Sequence, residues 1–276
     1  MWIDSHCHLQ LTDREGSDGS EIPSPADYVH RAQLAGVEKL ICVGTDPESS
    51  REAIAIASAA GDAVFATIGL HPHDADRGME ETIALTDETI AISDNRVVAI
   101  GETGLDYFYE HSPVEIQKSV FIEHIELARK YDLPLVVHTR NAWDDTFAIL
   151  RSEGAPPRTV LHCFTGGTKE IRIALELGFY VSFSGIVTFK NATKIQEAAR
   201  FCPLDRMIIE TDSPFLTPVP YRGRPNEPAY IGVIGEYISA LKDTQVRTFA
   251  EAVSMSTKQV FGLNDSDIRP GYRSSD

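Results

Sequence analysis

Short runs of β-branched and other apolar residues recur at Trp2 to Asp4, Lys39 to Val43, Val64 to Leu70, Val97 to Gly101, Pro134 to Val137, Thr159 to Leu161, Tyr180 to Phe183 and Met207 to Ile209. About 20 to 40 residues separate one run from the next, and the stretches between them carry apolar residues at helical spacing. Continuous apolar strands alternating with helices belong to parallel sheets buried on both faces. Eight such units predict an α/β fold, a single-domain TIM (β/α)8 barrel.

Start and stop signals place several helices. Ser24-Pro25 opens a segment that ends at Gly36, and Asp46-Pro47 opens one that ends at Gly61, each with a capping residue, proline at the first helical position and glycine past the last turn. Ser112-Pro113-Val114-Glu115 has capping-box spacing before Ile116, Phe121, Ile125 and Ala128, which repeat on one face up to Tyr131 and predict the longest helix. Trp143-Asp144-Asp145 reads as a first turn whose acids suit the helix dipole.

Three stretches lack such patterning. Leu11 to Pro23 is acidic and polar, Ser213 to Ala229 is rich in proline, and Asn264 to Asp276 is almost without apolar residues. The barrel is therefore expected over residues 1–263, with 264–276 a disordered polar tail. The proline-rich stretch follows the eighth strand, which in a barrel is the rim where active sites are built.

A length of 276 residues suits one barrel, and 42% hydrophobic with 24% charged residues excludes disordered and fibrous classes. The first residues form neither a basic region nor an apolar signal core, and nowhere do about 18 apolar residues run together, so neither export nor a membrane span is expected. The four cysteines, Cys7, Cys42, Cys163 and Cys202, show no Cys-x-x-Cys spacing and read as reduced, buried residues of a cytoplasmic protein without an obligate protein partner. A net charge of −16 argues against coating duplex DNA, because nonspecific affinity comes from Lys and Arg neutralising phosphates. Any nucleic-acid contact must be small and local, and bound cations would supply the missing positive charge there.

Candidate chemistry lies at the strand ends. Asp4-Ser5-His6-Cys7-His8, Gly101-Glu102-Thr103, Val137-His138-Thr139, Leu161-His162-Cys163 and Glu210-Thr211-Asp212 each place a histidine or carboxylate after a strand-forming run. His6 and His8, two apart on an extended strand, face the same side, while the alternating Cys7 and Cys163 point the other way and are assigned to packing. Imidazole and carboxylate are ligands for divalent ions, and four histidines with two acids suffice for two of them. We expect His6, His8, Glu102 and Asp212 to hold one ion, and Glu102, as a bridge, His138 and His162 to hold the other.

The segments DSHCHL, GLHPHDA, GETGLDYFYE, VVHTRNAWDDT, LHCFTGG, YVSFSGIVTFKNA and ETDSPFLTPVPYRGRPNEPAYI, spanning Asp4 to Ile231, resemble those of the TatD family of metal-dependent deoxyribonucleases within the amidohydrolase superfamily. The resemblance implies a TIM barrel, a divalent metal centre, phosphodiester hydrolysis and metal-ligand roles for His6, His8, Glu102, His138, His162 and Asp212. The superfamily's carboxylated bridging lysine has no counterpart here, since Glu102 takes the strand-four position. The Leu11 to Pro23 loop is longer and more acidic than is usual in the family, which bears on substrate access. The family label implies magnesium, whereas four imidazoles form a softer set that suits zinc or manganese.

These residues lead to a mechanism in which water is activated by the ions, Asp212 accepts its proton and Glu102 joins the two metals. His71 and His73 follow strand three and either contact phosphate, protonate the leaving oxygen or cap the next helix. Asp106, Tyr107 and Arg140 contact phosphate or sugar, or else orient the ligands, and Arg222 and Arg224 on the proline-rich loop form a local basic clamp. Phe164 and Phe215 either stack a base or pack beneath the loops, and His30, His111 and His124 are expected at the surface. The leading expectation is a nuclease acting on single-stranded DNA or chain ends. The alternatives are a metal-dependent ester or amide hydrolase, such as a lactonase or aminoacyl-tRNA deacylase, and a non-enzymatic protein that keeps the metal for stability.

Overall fold

Residues 1–11, 23–93 and 95–263 are described by the structure, a computed structural model. The interior of the acidic loop, residues 12–22, and the predicted tail, residues 264–276, lie outside the described residues. Eight parallel strands pair in chain order: β1 (Trp2–Cys7), β2 (Val37–Cys42), β3 (Val64–Ile68), β4 (Val97–Asp106), β5 (Leu135–Arg140), β6 (Thr159–Leu161), β7 (Tyr180–Phe183) and β8 (Met207–Ile209). Between and after them run α1 (Pro25–Leu34), α2 (Pro47–Ala60), α3 (Glu80–Ile90), α4 (Val114–Lys130), α5 (Trp143–Ser152), α6 (Thr168–Glu176), α7 (Thr193–Phe201), α8 (Ile231–Leu241) and α9 (Val246–Phe261). This is the expected single-domain (β/α)8 barrel.

Alternation along the strands divides the core. Ile41, Val98, Val136, Val160 and Ile208 form one apolar cluster with Val260 and Phe261 of α9, while their sequence neighbours Leu40, Val97, Val137, Leu161 and Ile209 join a larger cluster with the helices. Continuing the first register two residues beyond Val136, Val160 and Ile208 gives His138, His162 and Glu210. The face that holds the inner core therefore ends in polar groups at the strands' C-terminal ends. The turn back from β8 to β1 is made there too: Asp212 N donates to His6 O (2.9 Å), His8 N donates to Ser213 O (2.8 Å), and the buried Asp4 carboxylate accepts from Thr211 N (2.8 Å) and Thr211 Oγ1 (2.5 Å).

The predicted boundaries of α1 and α2 are those observed. Ser24 and Asp46 accept from the backbone N–H three residues on, and both helices are followed by glycines at positive φ, Gly36 and Gly61. The capping box predicted at Ser112 does not form. Pro113 is the N-cap residue of α4, and the Ser112 hydroxyl instead donates to His73 O (2.9 Å) and accepts from Asp76 N (3.2 Å), tying down the 3-10 turn Pro72–Arg77. Among the described residues no helix is long and apolar enough to cross a membrane.

One expectation is overturned with consequence. His124, expected at the surface, is wholly buried on α4, where it shares a face with Phe121, Ile125 and Ala128. Its Nε2 accepts from Leu70 N (3.0 Å) and its Nδ1–H donates to Val120 O (2.7 Å), so it fixes the chain one residue before His71. Burial pushes its pKa down to about 4 from the ordinary 6.5. Between these values the unfolded chain takes up a proton that the folded one refuses. The stabilising contribution of neutral His124 is complete above pH 6.5 and is lost as the pH falls through about 4, on the order of 3 kcal/mol in all. Asp4, raised by burial to about 7, titrates with the opposite sign but is common to wild type and variant and cancels in their difference. Urea unfolding of wild type and His124→Gln is expected to show the stability gap narrowing from pH 8 to pH 4.5; a constant gap would refute the assignment.

Candidate metal centre

Glu102 is where the strand-end groups meet. It lies in β4 at a register shift between Ile100 and Thr103, which turns its side chain into the mouth of the barrel. A Cβ on Gly69 would come within 2.4 to 2.7 Å of the Gly101 and Glu102 backbone, so the close approach of the segment after β3 requires glycine there. The two oxygens of Glu102 divide their neighbours. Oε2 lies 3.4 Å from His6 Nε2 and 4.0 Å from His8 Nε2, and Oε1 lies 2.7 Å from His162 Nε2 and 2.9 Å from His138 Nδ1. Asp212 completes the first group, with Oδ1 3.4 Å from His8 Nε2 and 3.7 Å from His6 Nε2. Its positive φ of 56° carries it past the end of β8, beyond the reach of strand alternation.

One outer nitrogen tells which way the lone pair of its neutral ring points. His8 Nδ1 lies 3.0 Å from Val43 O, a carbonyl that can only accept, so the proton sits on Nδ1 and the Nε2 lone pair faces inward. Carboxylate oxygens also stand behind two further rings, Asp106 Oδ2 3.4 Å from His138 Nε2 and Glu210 Oε1 3.3 Å from His162 Nδ1, while on the inner side His138 Nδ1 and His162 Nε2 lie within hydrogen-bond reach of Glu102 Oε1, where a bound ion would take the place of the protons. Inward nitrogens are 3.2 Å apart in the His6–His8 pair and 3.3 Å apart in the His138–His162 pair. Ligands about 2.1 Å from one ion at tetrahedral or octahedral angles lie roughly 3.0 to 3.4 Å from one another, so these separations fit divalent-ion coordination. Burial raises the cost of charge on Glu102 and Asp212, but the imidazoles beside them win. The charge of His162 and hydrogen bonds from His138 and His162 hold Glu102 well below the usual carboxylate range, and hydrogen bonding to His8 with the charge of His6 lowers Asp212.

His71 also reaches this cluster, with Nε2 3.6 Å from Glu102 Oε1. Its Nδ1 accepts from His73 N (3.2 Å), which puts the proton of the neutral ring on Nε2. Burial keeps His71 neutral, well below the ordinary imidazole range. It is thus set to donate toward the carboxylate, whereas the neutral His8 ring turns its lone pair inward. His73 Nε2 lies 2.9 Å from Asp106 Oδ2, and Asp106, itself buried, is drawn well below the usual range by His138, His73 and two backbone amides despite the cost of burial.

The other sequence candidates lie further out. The Tyr107 hydroxyl donates to Asp145 Oδ2 (2.7 Å), beside a surface cavity of about 510 Å³ that Trp143 and Lys169 also line. Arg140 lies against Phe108 and Tyr109, and Arg222 lies 4.2 Å from the Phe189 ring centroid with Nη1 3.5 Å from Thr217 O. Arg222 and Arg224 are both exposed on a loop that Asn226 anchors through Thr211 O (2.8 Å) and Phe215 O (2.6 Å). Phe164 is packed against Trp143 and Phe183, whereas Phe215 is exposed with its ring 6.1 Å from that of His8.

Sequence reasoning missed Glu210 and Asp4 as supports, although both stand in the motifs that carry the ligand candidates. Glu210 is fully buried, accepts from Cys163 N (2.7 Å) and faces His162; Asp4 accepts from His6 N (3.3 Å) as well as from Thr211. The signal that could have found them is an acid two residues from a ligand candidate, which on a strand shares its face.

A family model described as TatD related DNase matches residues 3–262. YabD of Bacillus subtilis strain 168, named an uncharacterized metal-dependent hydrolase, is 40% identical over 96% of this chain and 100% of its own length. YcfH of Escherichia coli K12, named in the same way, is 37% identical over 97% of this chain and 98% of its own length. The crystal structure of YjjV, a TatD homolog from Escherichia coli K12, matches with a TM-score of 0.85 at 27% identity, covering 95% of this chain and 98% of that one.

Replacing Glu210 with glutamine removes the acceptor charge behind His162 while keeping its shape. Chelator competition is expected to show zinc or manganese binding weakened about 10- to 100-fold. Unchanged affinity would show that His162 needs no such partner.

Proposed function

This chain belongs to the TatD-related DNase family of metal-dependent hydrolases, and from that premise we propose that it hydrolyses phosphodiester bonds of DNA, in single strands or at chain ends, using two divalent ions. The observation that carries this reading is the division of the Glu102 carboxylate between the His6–His8–Asp212 group and the His138–His162 group. His6, His8, Asp212 and Glu102 would hold one ion, and Glu102, His138 and His162 the other. When bound, such ions supply Lewis acidity toward phosphoryl oxygens and render coordinated water acidic enough to deprotonate near neutral pH. The donor set suits zinc or manganese better than magnesium.

The chain's own groups do the rest. Asp212, the more accessible of the two central carboxylates, is kept ionised by its imidazole neighbours and takes the proton of the attacking water on a carboxylate oxygen. Glu102 fixes the spacing of the two donor groups, with His71 donating toward it. Asp106 and Glu210, standing behind the rings of His138 and His162, would accept the outer N–H of each ring when an ion holds the inner nitrogen. We assign phosphate contact to His73 and Arg140 at the mouth and to Arg222 and Arg224 on the proline-rich loop, with Tyr107 holding the wall beside them through Asp145. A cytoplasmic setting is part of the proposal, supported by four cysteines that are all free.

Incubation of the metal-loaded protein with end-labelled single-stranded DNA is expected to give shortened products that vanish with chelator. Asp212→Asn is expected to lower kcat at least about a hundredfold while the ion at Glu102, His138 and His162 stays bound. Turnover of lactones or carboxylic esters with no cleavage of DNA or of bis-nitrophenyl phosphate would replace this reading with that of a carbonyl hydrolase.

A further inference from the structure

Beside the donor cluster the mouth of the barrel displays aromatic surface that the hydrolytic chemistry does not use. Phe108 and Tyr109 directly follow β4 and are 55% and 50% exposed. Two large adjacent rings left open to water are uncommon on a monomer surface. Their backbone is nevertheless fixed, because both amides donate to Asp106 Oδ1, at 2.8 and 3.0 Å, while Oδ2 of the same carboxylate faces His73 and His138. One buried acid thus positions the imidazoles and the rings together.

Neighbours cover part of this surface. The Arg140 guanidinium, at the end of β5, lies over the Phe108 ring at 4.1 Å and over the Tyr109 ring at 4.6 Å, Tyr109 also stacks on His111 at 5.6 Å and 10°, and the Phe108 and Tyr109 rings stand at 90° to one another, so exposed Phe108 offers the platform and Tyr109 its wall. On another part of the rim Phe215, 51% exposed, follows Asp212 and sets its ring 6.1 Å from His8. β4 and β8 stand four places apart in a ring of eight, so the two aromatic surfaces flank the cluster from opposite sides.

We propose that Phe108, backed by Arg140 and walled by Tyr109, stacks one unpaired nucleobase beside the bond to be cut, and that Phe215 takes the base on the other side of that bond. Aromatic faces accept any base, and a guanidinium beside them offers charge to the adjoining phosphate. The subsite rests on the nuclease reading and sharpens it. A paired base cannot lie flat on these rings, so substrate is selected as single strand or frayed end, and the selection comes from stacking in a protein whose charge of −16 discourages backbone binding.

The test uses metal-loaded full-length protein and single-stranded oligonucleotides with an abasic residue on one side or the other of the cleaved phosphate. In wild type each abasic substitution is expected to raise KM roughly tenfold, the worth of one stacked base. Phe108→Ala is expected to lose this discrimination on one side and Phe215→Ala on the other, while Phe108→Tyr retains it. Circular dichroism checks that the fold is kept. Variants that keep the wild-type discrimination, or that lose it on the same side, overturn the subsite. So does a wild type that cleaves base-bearing and abasic strands alike, with the nuclease reading left standing, which is also the outcome if these rings serve a protein partner. Failure of wild type to cleave any oligonucleotide overturns the nuclease reading and the subsite together.

Discussion

Convergence of ring nitrogens on one buried carboxylate is the constraint around which this barrel mouth is organised. The inward nitrogens of His6 and His8, and of His138 and His162, sit 3.2 and 3.3 Å apart, and the Glu102 carboxylate stands between the pairs. Such crowding of donors around a buried carboxylate calls for positive charge among them, carried by protons on the rings or by a bound ion. Val43 O accepts from the far nitrogen of His8, and the Asp106 and Glu210 carboxylates stand 3.4 and 3.3 Å behind the His138 and His162 rings, where they would take the outer N–H groups once an ion holds the inner nitrogens. The surroundings are built to hold the donors in a form that attracts a cation.

Closure of the barrel and construction of the site use the same residues. The backbone links from β8 to β1 run between His6 and Asp212 and between His8 and Ser213, with Asp4 pinning Thr211 just below. Two groups 206 positions apart in sequence, His6 and Asp212, are therefore brought together by the seam that completes the sheet. The helices contribute at one remove: His124 of α4 holds Leu70, and Ser112 at the start of the same helix holds the turn that carries His73. Packing errors there would reach the site through the segment after β3.

The architecture was legible in the sequence because a strand buried on both faces writes a run of apolar residues, and eight runs at regular spacing leave few alternatives. Convergence of the six donor candidates was legible for a related reason, since strand ends of a parallel barrel all face one rim. What was not legible depended on tertiary partners. The histidine at 124 looked like a polar residue on a helix, yet 121, 125 and 128 are apolar and 124 lies on their face; its two hydrogen bonds, to Leu70 N and Val120 O, make burial tolerable. Ser112 has the spacing of a capping box, but a carbonyl from another segment offered its hydroxyl a better place. The separate role of His71 could not be read at all, because it turns on which ring nitrogen carries the proton.

Charge sets the limit on how a polyanion could be handled here. With 41 acidic and 25 basic residues the long-range field repels nucleic acid, and the arginines at the rim are few and partly engaged with aromatic rings. A protein that binds DNA through a wide phosphate footprint would need the opposite balance. In the proposed nuclease reading the positive charge that a substrate phosphate would meet is concentrated where divalent ions fit, and recognition next to it would fall to uncharged ring faces. Such a site suits a short contact of one or two nucleotides, made at an end or an unpaired stretch, with little of the strand beyond it held by the protein.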